Sequence, residues 1–243
     1  MGTLFFKEIK DFFSSVTGYL VVVVYLLINS MFLWIFKGNL NIFDVGLANI
    51  DTLFIISPWV FLFLVPAITM NMFANEFKTG TMELLLTRPL TEFQITFAKY
   101  LSSLVLVLIS LLPTFLYLIS IHCLATPVGN VDYGAIIGSY IGLFFLAAVY
   151  SAIGLFASSL SKNTVIAFLL SVLLCYIFFL GFENLGTLVS LGKISDFIIS
   201  FGINDHYNSI SRGVVDTRDI VYFASIIAIF IFLTKLRLES RKW

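Results

Sequence analysis

Polar and apolar positions alternate along this chain in long blocks. Five runs contain no charged residue: Thr17–Phe36, Thr52–Phe73, Tyr100–Ile121, Ile136–Leu160 and Thr164–Gly181. Each is long enough to cross a hydrocarbon layer of roughly 30 Å as a helix. A sixth run, Ile220–Leu233, is shorter. It reaches spanning length if the stems of Lys235 and Arg237 extend toward the headgroups. The pattern predicts an all-α polytopic membrane protein with six transmembrane helices in a single domain, residues 1–243.

The segments between the runs are also patterned. Phe5, Ile9, Phe12, Phe13 and Val16 recur at helical spacing, with Lys7, Glu8, Lys10, Asp11 and Ser14 on the other side. This predicts an amphipathic N-terminal helix lying in the membrane interface. Gly134, Gly138 and Gly142 are four apart at the start of span four, followed by Ser151, Gly154 and Ser158. Small residues at that spacing let another helix approach closely, within the chain or from a second subunit. Pro58, Pro66 and Pro113 fall inside spans two and three, where they kink or pack. Between spans five and six, 185–201 is too apolar for water and too interrupted to span, so it predicts short interfacial helices. Asp216 or Thr217 is placed to cap span six, with Asp219 in its first turn.

The stretch NEFKTGTMELLLTRPLTEFQ, residues 75–94, breaks the apolar pattern with Glu76, Lys78, Glu83, Arg88 and Glu92. Thr81 is placed to cap a short helix with Glu83 in its first turn. Pro89 turns Arg88 away from helix and ends it. Thr91 and Gln94 have capping-box spacing and start the next helix. The pattern is helix, break, helix, and it presents acids and a leucine ridge outward, as a docking surface would.

Composition sharpens the picture. Charged residues make up 12% of the 243 residues and hydrophobic ones 60%, against about a quarter charged in soluble domains. The net charge is zero, so the balance points to no nucleic-acid partner. With the N-terminus inside, ten Lys and Arg fall on the cytoplasmic side and four outside, which places both termini and the 75–94 stretch in the cytoplasm. No ionisable Asp, Glu, Lys or Arg lies within the uncharged runs, so the ion site that a coupled carrier keeps in the membrane is missing from them. Cys123 and Cys175 have no metal or redox spacing. His206 with Asp205 and Asp216 is a poor metal set, and no cofactor is implied. A carrier, a membrane enzyme and a non-transporting scaffold are the alternatives to a transport subunit.

Six spans, the interfacial helix and NEFKTGTMELLLTRPLTEFQITFAKY resemble the permease subunits of ABC-2-type transporters. The family pattern is matched by Glu76, Gly80, Thr81, Glu83, Leu84, Leu85, Thr87 and Pro89. The resemblance implies that Glu76, Gly80, Thr81, Glu83, Leu84, Leu85 and Pro89 form a coupling helix docking on an ATPase. It also implies a second permease subunit, in a homodimer or heterodimer, a bacterial inner-membrane location and export. The chain has no G-x-x-x-x-G-K-[ST] phosphate loop, so the ATPase is expected on a separate chain. The ending around His206, Arg212–Asp216 and Asp219–Phe223 is most similar to gliding-motility-associated permeases; permeases of copper-enzyme maturation also look similar.

Overall fold

The computed structural model describes residues 1–87, 89–188, 192–213 and 215–240. Arg88, Val189, Leu191, Val214, Arg241 and Lys242, which figure in the sequence reading, lie outside the described residues. Among the described residues every regular element is helical. Six stretches are long and apolar enough to cross a membrane: Val16–Ile35, Asp51–Thr79, Glu92–Leu124, Tyr133–Leu160, Thr164–Leu188 and Thr217–Glu239.

An N-terminal helix α1 (Gly2–Ser14) turns at Ser15 into α2 (Val16–Ser30), which continues through a π-helical turn, Met31–Ile35. A short α3 (Ile42–Val45) precedes the long α4 (Asp51–Thr79), which stays helical through Pro58 and Pro66. Next come α5 (Thr81–Leu86) and α6 (Glu92–Leu111). A 3₁₀ turn at Leu112–Thr114, carrying Pro113, joins α6 to α7 (Phe115–Leu124). Proline cannot continue the hydrogen-bond ladder, which accounts for the change of pitch there. Then follow α8 (Tyr133–Leu160) and α9 (Thr164–Tyr176), with a second π segment, Ile177–Gly181. Three short helices, α10 (Phe182–Leu188), α11 (Gly192–Ile199) and α12 (Ile203–Ser211), lead to α13 (Thr217–Glu239). Asp216 caps α13, its Oδ1 accepting from the Arg218 amide at 2.9 Å. That hydrogen bond holds the Asp216 carboxyl below the usual carboxylate range.

The core is the pair α4 and α8, the most buried of the six spans. The small residues of α8 serve two neighbours. Near its start, a Cβ on Gly138 would lie 2.6 Å from Gly213 Cα and 2.8 Å from the Ile210 carbonyl oxygen. Gly142 lies under the Tyr207 ring, its Cβ position 3.3 Å away. Farther along, a Cβ on Gly154 would meet Thr69 Oγ1 at 2.2 Å. The same stripe therefore seats α12 at one end and α4 at the other. A Cβ on Gly134 would meet only the Asp132 side chain, at 3.3 Å.

Substitutions at the first two glycines of α8 should have opposite signs. Gly138→Ala pushes against backbone and should cost about 1–3 kcal/mol by overpacking. Gly134→Ala meets only a movable side chain and should be neutral or stabilising by up to about 1 kcal/mol, from helix propensity. Thermal unfolding of the two variants in detergent separates them.

Candidate functional site

The helices outrun the uncharged stretches at one end of the bundle. There α4 runs on to Thr79 and α6 starts at Glu92, so Glu76, Lys78 and Lys99 lie within helices rather than in a loop. Lys99 is fully buried. Its ammonium has three protons and three oxygens around it: Glu8 Oε1 at 2.7 Å, Met72 O at 2.7 Å and Glu76 Oε1 at 3.0 Å. The Phe73 ring lies on a fourth side, 5.2 Å to its centroid. Lys7 adds a second cation, 3.3 Å from Glu76 Oε1 and 3.5 Å from Glu8 Oε1. Burial opposes the charged form of Lys7, but Glu8, Glu76 and Asp11 outweigh it and raise its pKa above the ordinary lysine value. The cluster ties α1, α4 and α6 together, and Ser102 Oγ adds a bond to the Phe5 carbonyl at 3.2 Å.

α4 is gripped from its other side as well. Ser158 on α8 donates to the Met70 carbonyl at 2.9 Å and accepts from the amides of Phe73 and Ala74 at 3.1 Å each. A hydroxyl wedged against the helix ladder in this way is a recognised place for a helix to bend.

Just beyond the cluster the chain turns. Gly80 adopts φ 72°, ψ 4°, a left-handed conformation that glycine enters without a Cβ clash. Gly80 therefore takes the capping position expected of Thr81, and Thr81 becomes the first residue of α5, its hydroxyl 2.9 Å from that of Thr79. Glu83 does lie in the first turn of α5. α6 begins with the expected capping box: Thr91 Oγ1 accepts from the Gln94 amide, and Gln94 Oε1 accepts from the Thr91 amide, each at 3.2 Å.

The residues expected on one outward surface divide. Gly80, Thr81, Glu83, Leu84 and Pro89 are exposed, and Leu85 is half-buried. Glu76 is instead turned inward, because Lys99 and Lys7 hold its carboxylate. A groove of about 330 Å³ separates the two groups, lined by Thr3, Leu4 and Lys7 on α1, Glu76 on α4, and Thr81 and Leu84 on α5.

By sequence Lys99 is one of the ten cytoplasmic Lys and Arg, just before an uncharged run, and Glu8 falls on the polar side of α1. One signal marks Lys99: it shares a buried stripe with Ile95, Ser102 and Leu106, at helical spacing. Glu8 lies 91 residues away, and nothing local announces that pairing. His206 pairs with neither Asp205 nor Asp216. Its Nδ1 is 2.6 Å from Asp219 Oδ1, its Nε2 is 3.0 Å from the Ser200 carbonyl, and Tyr222 stacks on it. Among the described residues no group of three or more His, Cys, Asp or Glu could hold a metal ion.

The pattern of the ABC-2 family transporter proteins matches residues 3–239. The chain belongs to that family. Comparison with curated proteins gives no match. The match covers α1 to the end of α13, so this ABC-2 protein is a multi-pass membrane protein of the permease type, with the buried cluster and the exposed α5 at one end of its spans.

Removing the lysine should be the most damaging single change at this end. Lys99→Met leaves Glu8 and Glu76 facing each other with only Lys7 nearby, and breaking a buried pair costs about 3–5 kcal/mol. Thermal unfolding in detergent should show that loss. Adding Glu8→Gln and Glu76→Gln to Lys99→Met should recover most of it, because no uncompensated buried charge then remains; the half-exposed Lys7 keeps Asp11 at 3.8 Å.

Proposed function

We propose that this ABC-2 protein is the membrane-spanning subunit of an ATP-driven exporter, and that α5 is where a separate ATPase chain docks. The observation that supports this most directly is α5 itself. It is a short helix fixed between the left-handed turn at Gly80 and the capping box at Thr91, with Glu83 and Leu84 exposed. A flexible loop needs none of that punctuation, whereas a lever does. Gly80, Thr81, Glu83, Leu84, Leu85 and Pro89 form the docking surface, and Glu76 acts behind it.

Force applied to α5 passes to α4 through a turn only one residue long, and from α4 to α1 and α6 through the Lys99 cluster. Coupling of this kind is mechanical: it biases two packings of the spans. In this reading the α5 end and both termini are cytoplasmic in a bacterial inner membrane. The ten-to-four bias of Lys and Arg supports that orientation. A second permease subunit, identical or not, completes the transporter. A gliding-motility role is the narrower form of the proposal and rests on the likeness of the segment from His206 to Phe223.

Glu83→Arg should reduce co-purification of the ATPase at least about tenfold, which corresponds to about 1.4 kcal/mol. Membrane insertion should be unchanged. Affinity purification in mild detergent with mass spectrometry of the retained chains reads both. A wild-type chain that purifies without any nucleotide-binding partner, even after mild crosslinking, overturns the proposal in favour of a carrier or scaffold.

A further inference from the structure

At the end of the spans away from α5, two cavities meet. One, of about 740 Å³, lies among the starts of α4 and α8, the π segment after α9, and α12. The other, of about 670 Å³, runs between α2 and α4. They share Ile55 and Trp59, both substantially exposed.

The walls of the first cavity are fixed. Tyr207 donates to the Phe54 carbonyl at 2.7 Å, Ser139 to the Ser211 carbonyl at 3.1 Å, and Asn204 to Glu183 Oε2 at 2.7 Å. Those polar groups are committed to structure. Arg212 and Asn208, which line the same cavity, have no side-chain partner among the described residues. Asp51 uses Oδ2 on the Asn49 amide, at 2.9 Å, leaving Oδ1 available. The cavity therefore offers one cation, one carboxylate oxygen and one amide to a visitor. The second cavity is different. Its lining is hydrocarbon apart from the Trp59 indole at the junction and the Tyr25 hydroxyl, which is already bonded to Ser57 Oγ at 2.9 Å.

A polar pocket carrying both signs of charge, opening through Trp59 onto a groove that takes only hydrocarbon, has the layout of an amphiphile. We propose that this surface binds one zwitterionic phospholipid, its phosphate at Arg212, its ammonium at Asp51, and one acyl chain in the groove between α2 and α4. Both charges are needed for the choice. A purely anionic head meets Asp51 and a purely cationic head meets Arg212. The site lies at the far end of the spans from α5, so it can fail while ATPase docking holds, and the reverse.

Native mass spectrometry of the full chain, with phosphatidylethanolamine and phosphatidylglycerol as probes, tests it. One phosphatidylethanolamine per chain should be retained, with phosphatidylglycerol at least about fivefold weaker, as one exposed charge contact allows. Arg212→Gln should weaken phosphatidylethanolamine by about the same factor, and Asp51→Asn should close the gap between the two lipids. Both side chains are exposed, and unchanged thermal unfolding checks that the variants fold. Glycerophosphoethanolamine, the head without chains, should not displace the lipid; displacement at matched concentration would overturn the acyl-chain assignment. Equal retention of both lipids, indifferent to the variants, means ordinary boundary lipid and overturns the site. Efficient disulfide crosslinking of Val24→Cys between two copies means that a second protein chain covers the groove, and overturns it as well.

Discussion

A lysine ammonium removed from water must have every proton met by an acceptor, or it gives up its charge. Lys99 is met by Glu8 from α1, Glu76 from α4 and the Met72 carbonyl of α4. Much of the architecture at that end follows from this requirement. α1 cannot drift across the membrane surface while Glu8 is held. α4 cannot end with its uncharged run at Phe73, because Glu76 is needed almost a turn farther on. α6 must start early enough to carry Lys99 down to the same level. The exposed α5 is thereby mounted on three helices joined by one buried ion cluster.

The second organising constraint is steric. α4 and α8 approach so closely at Gly154 that a single methyl group would collide with Thr69. At Gly138 the partner is the backbone of the turn after α12. Within lipid the hydrophobic effect gives helices no preference for each other, so close backbone approach and polar contacts such as that of Ser158 decide which ones pair. One helix thus sets the position of α4 along its length and of α12 at its end. The α5 end and the surface proposed for the lipid are both built on α4, about a membrane thickness apart.

Much of this was legible in the sequence because it is local. Uncharged runs mark spans, Thr91 and Gln94 mark a helix start, and Asp216 marks another; the prolines read alike, yet only Pro113 changes the helical pitch. What was not legible depends on partners distant in the chain. The polar face of α1 reads as wholly water-facing until Glu8 meets a lysine on α6. Glu76 reads as an outward acid until the same lysine turns it inward. The capping position expected of Thr81 fell to Gly80 because two helices linked by a single residue need positive φ there more than a side-chain oxygen. Small residues along α8 announce close contact without saying with which helix.

The Lys99 cluster also has an order in time. A chain is made from its N-terminus, so Glu8 and Glu76 both exist before Lys99 does. The two acids come from segments that are cheap to leave at a water surface, and they wait there. The lysine arrives last, on an apolar helix entering the membrane, at the moment when a bare charge would be most costly. Each newly made molecule therefore contains both counter-charges before the residue that needs them.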